Sequence, residues 1–351
     1  MAQRIAFAVI LLSTPCPADV ALAPLPGGAA VLAWSDASGV HARRVDRNGR
    51  LLGEDAVVLP CAPTAGRLAV VPTPTGAAVI FGARDRMWIR RLGPDAQPTT
   101  DAARIWSKLA RPPTAASVGG RIGMLGREGA GPVVETPDQG AIAVLVGNSA
   151  QEAPQILLTR YEGLAVLGPA LPWHAGAGDA ALGARTGELA AASASIDGAF
   201  LTRIGLDGRE IGTPVRLSAE GREARAASVA GAGDSFVAAW EEDSGARWAV
   251  VRVARDGQVS VGPQPEGEGA VLQGVAVAAG AGGFAVIGRS AGDIVIVRLG
   301  ADGRPRGRPI TVPGSGAEGR PAALFVGQTL LVAIPGDTPR VVAIDAQGRV
   351  R

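Results

Sequence analysis

One pattern recurs along the chain and constrains the fold more than any other feature. It reads Arg, an aliphatic or aromatic residue, two variable residues, Asp or a polar relative, then Gly. The copies are Arg44-Val45-Asp46-Arg47-Asn48-Gly49, Arg203-Ile204-Gly205-Leu206-Asp207-Gly208, Arg252-Val253-Ala254-Arg255-Asp256-Gly257 and Arg298-Leu299-Gly300-Ala301-Asp302-Gly303. Degenerate copies start at Arg91 and Arg160, and a last one, Ala343-Ile344-Asp345-Ala346-Gln347-Gly348, has lost its Arg. Successive copies lie about 45 residues apart, the period of a unit that cannot bury its apolar faces alone and must stack on its neighbours. Only the interval from Arg91 to Arg160 is longer, by an insertion of roughly 20–25 residues that the spacing places near 108–131.

Each unit reads as four short strands. In the first they are Val20–Ala23, Ala29–Trp34, Val40–Val45 and Leu51–Leu59, separated by Pro/Gly, Ser/Asp/Gly and Asp-Arg-Asn-Gly turns. Asn-Gly and Asp-Gly favour hairpins because those residues accept positive φ. Seven copies of a four-stranded unit predict an all-β chain, a seven-bladed β-propeller of antiparallel blades in a single domain. The blades are expected at about 17–59, 60–107, 132–173, 176–217, 221–266, 269–312 and 318–351. The last unit lacks a fourth strand, and a spare strand lies upstream of the first. Ala8-Val9-Ile10-Leu11-Leu12 running to Cys16 resembles Ala56-Val57-Val58-Leu59 running to Cys61. The sequence therefore predicts that residues 4–13 close the ring as the outer strand of the last blade, removing an open sheet edge. The competing use is a signal peptide over residues 1–23 with an Ala21-Leu22-Ala23 cleavage site, set against which Pro24 would follow the cut. On the closing-strand reading a cytoplasmic location is favoured; on the other, a secreted or periplasmic one. Cys16 and Cys61 fall at equivalent points of neighbouring blades and read as small buried residues rather than a disulfide, because such points lie too far apart for a bridge.

Composition narrows the chemistry. The chain has 50 Gly and 26 Pro among 351 residues, which disfavours helices, while 47% hydrophobic residues supply a core. Its single lysine, Lys108, follows Ser107, so there is no P-loop, and two His with two Cys leave no zinc-finger spacing. Net charge is +2, and the arginines are mostly isolated, so no nucleic-acid footprint is expected. The alternating Arg304, Arg306 and Arg308 read as a solvated turn. No apolar stretch approaches the roughly 20 residues needed to span a bilayer. No cofactor or metal is expected.

Short motifs are weighed against the repeat. Gly231-Ala232-Gly233-Asp234 resembles the signature of ribokinase-like sugar kinases, which would make Asp234 a base, but the next unit carries Gly280-Ala281-Gly282-Gly283 at the same position, so both read as turns. Gly288-Arg289-Ser290-Ala291-Gly292 is formally a nucleophile elbow, yet no His follows residue 174 and the repeat aligns it with other hairpins. Catalytic residues are therefore expected to be none. His41 reads as a solvated strand position, and Trp34 and Trp240 as packing between blades rather than sugar-stacking residues. The recurring Arg reads as a structural group, bonded to turn Asp or carbonyl oxygens, rather than as a repeated ligand site.

The units resemble those of loosely characterised bacterial β-propeller repeat proteins that read Trp…Arg-x-x-Asp-x-Gly-Arg…Gly. They lack the WD40, kelch and Asp-box patterns. That resemblance covers nearly the whole chain and implies a fold, not an activity. The expected function is a non-catalytic platform that binds another protein through loops on a rigid disc. The alternative is a lectin-like propeller that binds carbohydrate, or a hydrolase or lyase propeller, with the ligand site at the central channel. Trp173 and His174, in a connection between blades, and Arg121 and Arg127, in the insertion, are the expected contact residues.

Overall fold

The computed structural model describes residues 19–351 except 37, 61–67, 84–85, 107–108, 119–120, 129–140, 148–154, 163–164, 167–170, 176, 186, 206–209, 244, 254–258, 262–271, 314–318 and 337; side chains are described outside 82–87 and 103–180 as well. The expected closing strand at residues 4–13, the signal-peptide alternative and Cys16 and Cys61 lie outside the described residues.

Every element in the described residues is a strand. The first sheet is β1 (Val20–Leu25), β2 (Ala29–Asp36), β3 (Gly39–Val45) and β4 (Leu51–Pro60). The second is β5 (Leu68–Thr73), β6 (Gly76–Ala83), β7 (Arg86–Leu92) and β8 (Ala103–Trp106). The third holds β9 (Leu109–Val118), β10 (Arg121–Glu128), β11 (Ala141–Gly147), β12 (Gln155–Glu162), β13 (Ala165–Val166) and β14 (Leu171–Ala175). The fourth is β15 (Ala177–Arg185), β16 (Glu188–Ser195), β17 (Gly198–Ile204) and β18 (Val215–Arg216). The fifth is β19 (Arg225–Ala232), β20 (Ser235–Glu242), β21 (Gly245–Val253) and β22 (Val259–Val261). The sixth is β23 (Gln273–Gly280), β24 (Gly283–Ser290), β25 (Asp293–Leu299) and β26 (Ile310–Val312). The last is β27 (Ala322–Val326), β28 (Thr329–Ile334) and β29 (Arg340–Ile344).

Outside the third sheet, each sheet is an antiparallel meander in chain order. Burial follows rank within the sheet. The second strands are mostly apolar and buried on both faces, as in Ala29–Trp34 of β2 and all of β16, because a neighbouring sheet covers each side. Fourth strands are less buried: half of β4 is exposed, as are two of the three residues of β22. Full burial of a Val, Leu, Ile or Phe contributes roughly 1.5–3 kcal/mol, so the second strands anchor each unit.

The innermost strands pack one on the next: β1 on β5, β5 on β9, β9 on β15, β15 on β19, β19 on β23, β23 on β27, and β27 on β1. The last of these contacts is part of a shared core in which Val20, Leu32 and Trp34 of the first sheet pack with Leu331, Ala333 and Ala343 of the last. Small residues set the spacing. A Cβ at Gly183 of β15 would stand 2.7 Å from the Val229 carbonyl oxygen of β19, and one at Gly231 of β19 would stand 2.6 Å from the Ala184 carbonyl oxygen. The two glycines let adjacent innermost strands approach from both sides.

The third sheet departs from the meander. Residues 108–131, where the sequence places its surplus, contribute β9 and β10, and β9 is the innermost strand of that sheet. β10 and β11 run parallel, with Ile122 opposite Ala141 and Glu128 opposite Gly147.

Gly183→Ala is expected to lower stability by about 1–3 kcal/mol, because backbone rather than a flexible side chain blocks the new methyl. Gly282→Ala, which meets nothing within 4 Å, is expected to stay within about 0.5 kcal/mol of the parent. Denaturant midpoints of the two variants check this; equal midpoints would refute the close-approach account.

Candidate functional site

The innermost strands leave one edge without a sheet partner, and backbone N–H and C=O groups there need other acceptors and donors. At that edge lies a cavity of about 210 Å³, lined by residues of β1, β5, β15, β19, β23 and β27 and by the residues that precede β1 and β27. Its walls are apolar, among them Leu22, Val70 and Ala323, and its polar side chains are those of Asp19, Ser228 and Arg320. Each of the three bonds a neighbouring sheet. Asp19 Oδ2 accepts the Leu68 N–H at 2.5 Å. Ser228 Oγ accepts the Val277 N–H at 3.2 Å. Arg320 donates to the Val275 carbonyl at 2.5 Å and to the Ala227 carbonyl at 2.7 Å, so one side chain ties the last sheet to the sixth and the fifth. Glu241 adds to this by accepting the Gly274 and Val275 N–H groups at 2.6 and 3.3 Å. These groups satisfy strand edges, which is a structural task.

The recurring Arg has a similar role. Arg252 donates to the Ala301 carbonyl at 3.2 Å, and Arg298 to the Ala346 carbonyl at 2.7 Å; each acceptor sits in the turn after the third strand of the following sheet. The Arg of the fourth sheet, Arg203, instead meets the buried Glu188 at 2.5 Å, and Arg185 meets the same carboxylate at 2.5 Å. The recurring Asp, where it is described, caps its own turn: Asp95 Oδ1 accepts the Gln97 N–H at 3.0 Å and Asp302 Oδ1 that of Arg304 at 3.2 Å. In the first and last copies, where Asn48 and Gln347 take its place, an Asp two positions earlier does this: Asp46 Oδ1 accepts the Asn48 and Arg50 N–H groups at 2.8 and 2.9 Å, and Asp345 Oδ1 accepts those of Gln347 and Arg349 at 3.0 and 2.9 Å. In the sixth sheet, where both members are described, Arg298 thus acts through a carbonyl contact and Asp302 through a capped turn.

At the β2–β3 hairpin, His41 lies directly opposite Trp34. The rings stack with centroids 5.3 Å apart and planes at 21°. His41 is therefore not the solvated position expected from sequence: the facing indole covers it, and its side chain is 13% exposed. Its Nε2 lies 2.8 Å from Ser38 Oγ and 3.2 Å from Asp36 Oδ1. A Ser–His–Asp relay needs the hydroxyl and carboxylate at opposite ring nitrogens; here both face the same one. Asp36 instead organises the turn, accepting the Ser38 N–H and hydroxyl at 2.7 and 2.6 Å. Partial burial opposes ionisation of Asp36, but the Ser38 hydrogen bonds and the adjacent His41 hold its pKa below the usual carboxylate value. The fifth sheet repeats the arrangement with other residues: Trp240 donates to Glu242 at 2.9 Å, and Arg247, opposite Trp240, lies 3.5 Å from the same carboxylate. Both tryptophans are buried, at 7% and 1% exposure, so their role is packing.

The other motifs fall on turns. Gly233 and Asp234 join β19 to β20, and Ala291 and Gly292 join β24 to β25. The expected contact residues all lie on the third sheet. Arg121 and Arg127 are on β10, opposite Val118 and Arg111 of β9, and Trp173 and His174 are on β14, with His174 opposite Ile156 of β12. β14 and β10 are separated by β12 and β11, three strand spacings or roughly 14 Å. Arg304, Arg306 and Arg308 are exposed, as a solvated turn expects, and Arg306 in addition borders a cavity that its local sequence does not announce. This second cavity, of about 320 Å³ between the sixth and last sheets, has both Arg298 and Arg306 in its lining. The available signal was register: Arg306 is the residue opposite Arg298 across the turn, its N–H donating to the Arg298 carbonyl at 2.7 Å. Among the described residues no group of three or more His, Cys, Asp or Glu is placed to hold a metal ion, and no helix is long and apolar enough to cross a membrane.

No protein-family profile matches the chain, and no curated protein matches its sequence. Solved structures do resemble it. The β-propeller domain of Cps50 (Swd1) from Myceliophteria thermophila matches with a TM-score of 0.52 at 11% identity, covering 95% of this chain and 98% of that one. Apo AztD from Citrobacter koseri gives a TM-score of 0.53 at 12% identity, covering 95% and 85%. A prolyl endopeptidase structure gives 0.54 at 13% identity and covers 95% of this chain but 49% of its own, so the chain spans about half the length of that protein. At these identities the likeness concerns the fold alone: the chain folds as a β-propeller.

Asp345 provides a pH test. Its pKa is lowered to about 2, first by the Arg349 backbone N–H, then by the Arg349 side chain and the Gln347 N–H, which together outweigh desolvation. A carboxylate whose folded pKa is depressed adds stability above its unfolded value, and that contribution is lost as pH falls toward the folded one. Asp345→Asn is expected to lower the unfolding midpoint at pH 7 and to flatten its decline between about pH 4 and pH 2. A variant with the parent's acid slope would contradict the assignment.

Proposed function

We propose that the chain is a seven-bladed β-propeller, closed into a ring by residues 4–13, that acts as a non-catalytic platform for binding another protein. The observation that carries this reading is the use made of the recurring and axial polar groups. Arg252, Arg298, Asp19, Ser228 and Arg320 all bond backbone of a neighbouring sheet. A frame locked in this way leaves recognition to side chains that differ from sheet to sheet, the usual place for contacts on a rigid scaffold. Arg121, Arg127, Trp173 and His174 on the third sheet are the contacts in this reading.

The alternative, a carbohydrate ligand at the axis, draws on the fold shared with Aleuria aurantia lectin, solved in complex with Fucα1-6GlcNAc and matching with a TM-score of 0.50 at 10% identity over 95% of this chain and 94% of that one. The axial polar groups described above favour the platform, since they already serve the strand edges. Affinity capture from the source organism with the full chain, in parallel with a glycan panel, separates the two. The platform reading expects a partner that is retained by the parent and lost when Arg121, Arg127, Trp173 and His174 are replaced together by Ala, with no saturable glycan. Saturable glycan binding at the axis, lost with Arg320→Ala, would overturn it.

Ring closure has its own test. Among the described residues β29 has β28 as its one strand partner, with Val350 and Arg351 bonded only at its end, which leaves room for an outer strand along the rest of that edge. A chain lacking residues 1–18 is expected to unfold at lower denaturant and to self-associate through the β29 edge. A truncated chain that stays monomeric with an unchanged midpoint would sink the closing-strand proposal.

A further inference from the structure

The cavity between the sixth and last sheets has the makings of an anion site that the repeat does not explain. Arg298 is the penultimate residue of β25, and Arg306 stands opposite it across the following turn, beside the Leu299–Pro305 bridge. Directly opposed residues of an antiparallel pair project to the same face, and both arginines line the cavity. The same backbone bond joins Thr99 to Arg91, Ile211 to Arg203, and Arg351 to Ala343. Among these four opposed pairs, only that of the sixth sheet holds two arginines.

Among the described residues neither forms an ion pair, although the Asp302 carboxylate and the Arg306 guanidinium both flank Gly300, at 2.5 and 3.0 Å from where its Cβ would stand. Arg298 donates to the Ala346 carbonyl at 2.7 Å and Arg306 to the Gly282 carbonyl at 3.1 Å, and among the described residues neither has a carboxylate partner. In the next sheet, by contrast, Arg349 and Arg351 both pair with Asp345, at 2.7 and 3.3 Å. A guanidinium carries five N–H donors, so each group keeps donors beyond its carbonyl bond. The rest of the lining is apolar or backbone. Phe325 is seated against Gly280, where an added Cβ would come within 2.6 Å of the Phe325 ring. Leu299, Phe284 and the Gly282-Gly283 backbone complete the wall, and Gln328 adds an amide. At about 320 Å³ the cavity falls at the lower end of the roughly 300–1,000 Å³ range of small-ligand sites.

We propose that this cavity binds a carboxylate carried on a compact apolar body, the carboxylate on Arg298 and Arg306 and the body against Phe325. The planar fork of Arg matches a carboxylate through paired hydrogen bonds. The Phe325 wall favours a ligand with an apolar face over a fully hydrated inorganic anion. The same chemistry is offered by a free small acid and by the C-terminus of a polypeptide ending in an apolar residue. The proposal stands independently of the platform reading.

Calorimetric titration of the full chain tests it, with benzoate and N-acetyl-leucine as the carboxylates, and benzamide and inorganic phosphate as the controls. Both carboxylates are expected to bind saturably and benzamide not to bind. Arg306→Gln, at an exposed position, is expected to weaken carboxylate binding by about tenfold or more with an unchanged unfolding midpoint, and Phe325→Leu to weaken both carboxylates while leaving the charge in place. Tighter binding of N-acetyl-leucine than of benzoate identifies a chain terminus as the source, and the reverse order a free acid. No saturable binding by either carboxylate, benzamide or phosphate binding as tightly as benzoate, or Arg306→Gln binding like the parent overturns the proposal.

Discussion

The packing of one sheet's third strand against the next sheet's turn is the contact on which the rest of the molecule depends. The turn glycine makes it possible. Gly303 has a φ of +81°, and a Cβ there would meet Val250 of the preceding sheet at 3.0 Å. Gly348, with a φ of +85°, lies under the Arg298 guanidinium in the same way. Gly49 of the first sheet approaches Ala343 of the last, so the relation holds between the two ends of the described chain as well as between consecutive sheets. Positive φ and lack of space act together: another residue would strain the turn and push the sheets apart. The Arg bonds at Ala301 and Ala346 then fix what the glycines bring close.

Much of the fold was legible because its determinants are local. The strands read from the first unit differ from β1 to β4 by no more than two residues at any end, since apolar runs and Asp-Gly turns report on neighbours in sequence. The partner of the recurring Arg was not legible, because the carbonyls it reaches lie 48 and 49 residues away. His41 was misjudged because its environment is set by the residue opposite, Trp34, and not by Arg43 and Arg44 beside it. Arg306 is solvated, as its alternation with Pro and Gly suggests, while its place beside Arg298 follows from register across the turn.

The third sheet marks the limit of period arithmetic. Counting repeats assumes that each unit is a meander, so surplus residues can only be an insertion. The parallel pairing of β10 with β11 breaks that assumption, because a parallel neighbour requires a crossover that no hairpin signal announces. The axial cavity poses the opposite problem. Asp19 and Arg320 precede the innermost strands of the first and last sheets, and nothing in either local sequence reveals that both serve the same opening.

The contact between β1 and β27 also bears on the order in which the structure assembles. Six of the sheets form from hairpins between consecutive strands, pairings of low sequence separation that close quickly. The core that joins Trp34 to Leu331 and Ala343 has the largest loop to close, and its entropy is recovered only when the intervening sheets are already stacked. Loop-closure entropy therefore favours an order in which the sheets form and dock as neighbours before the first meets the last.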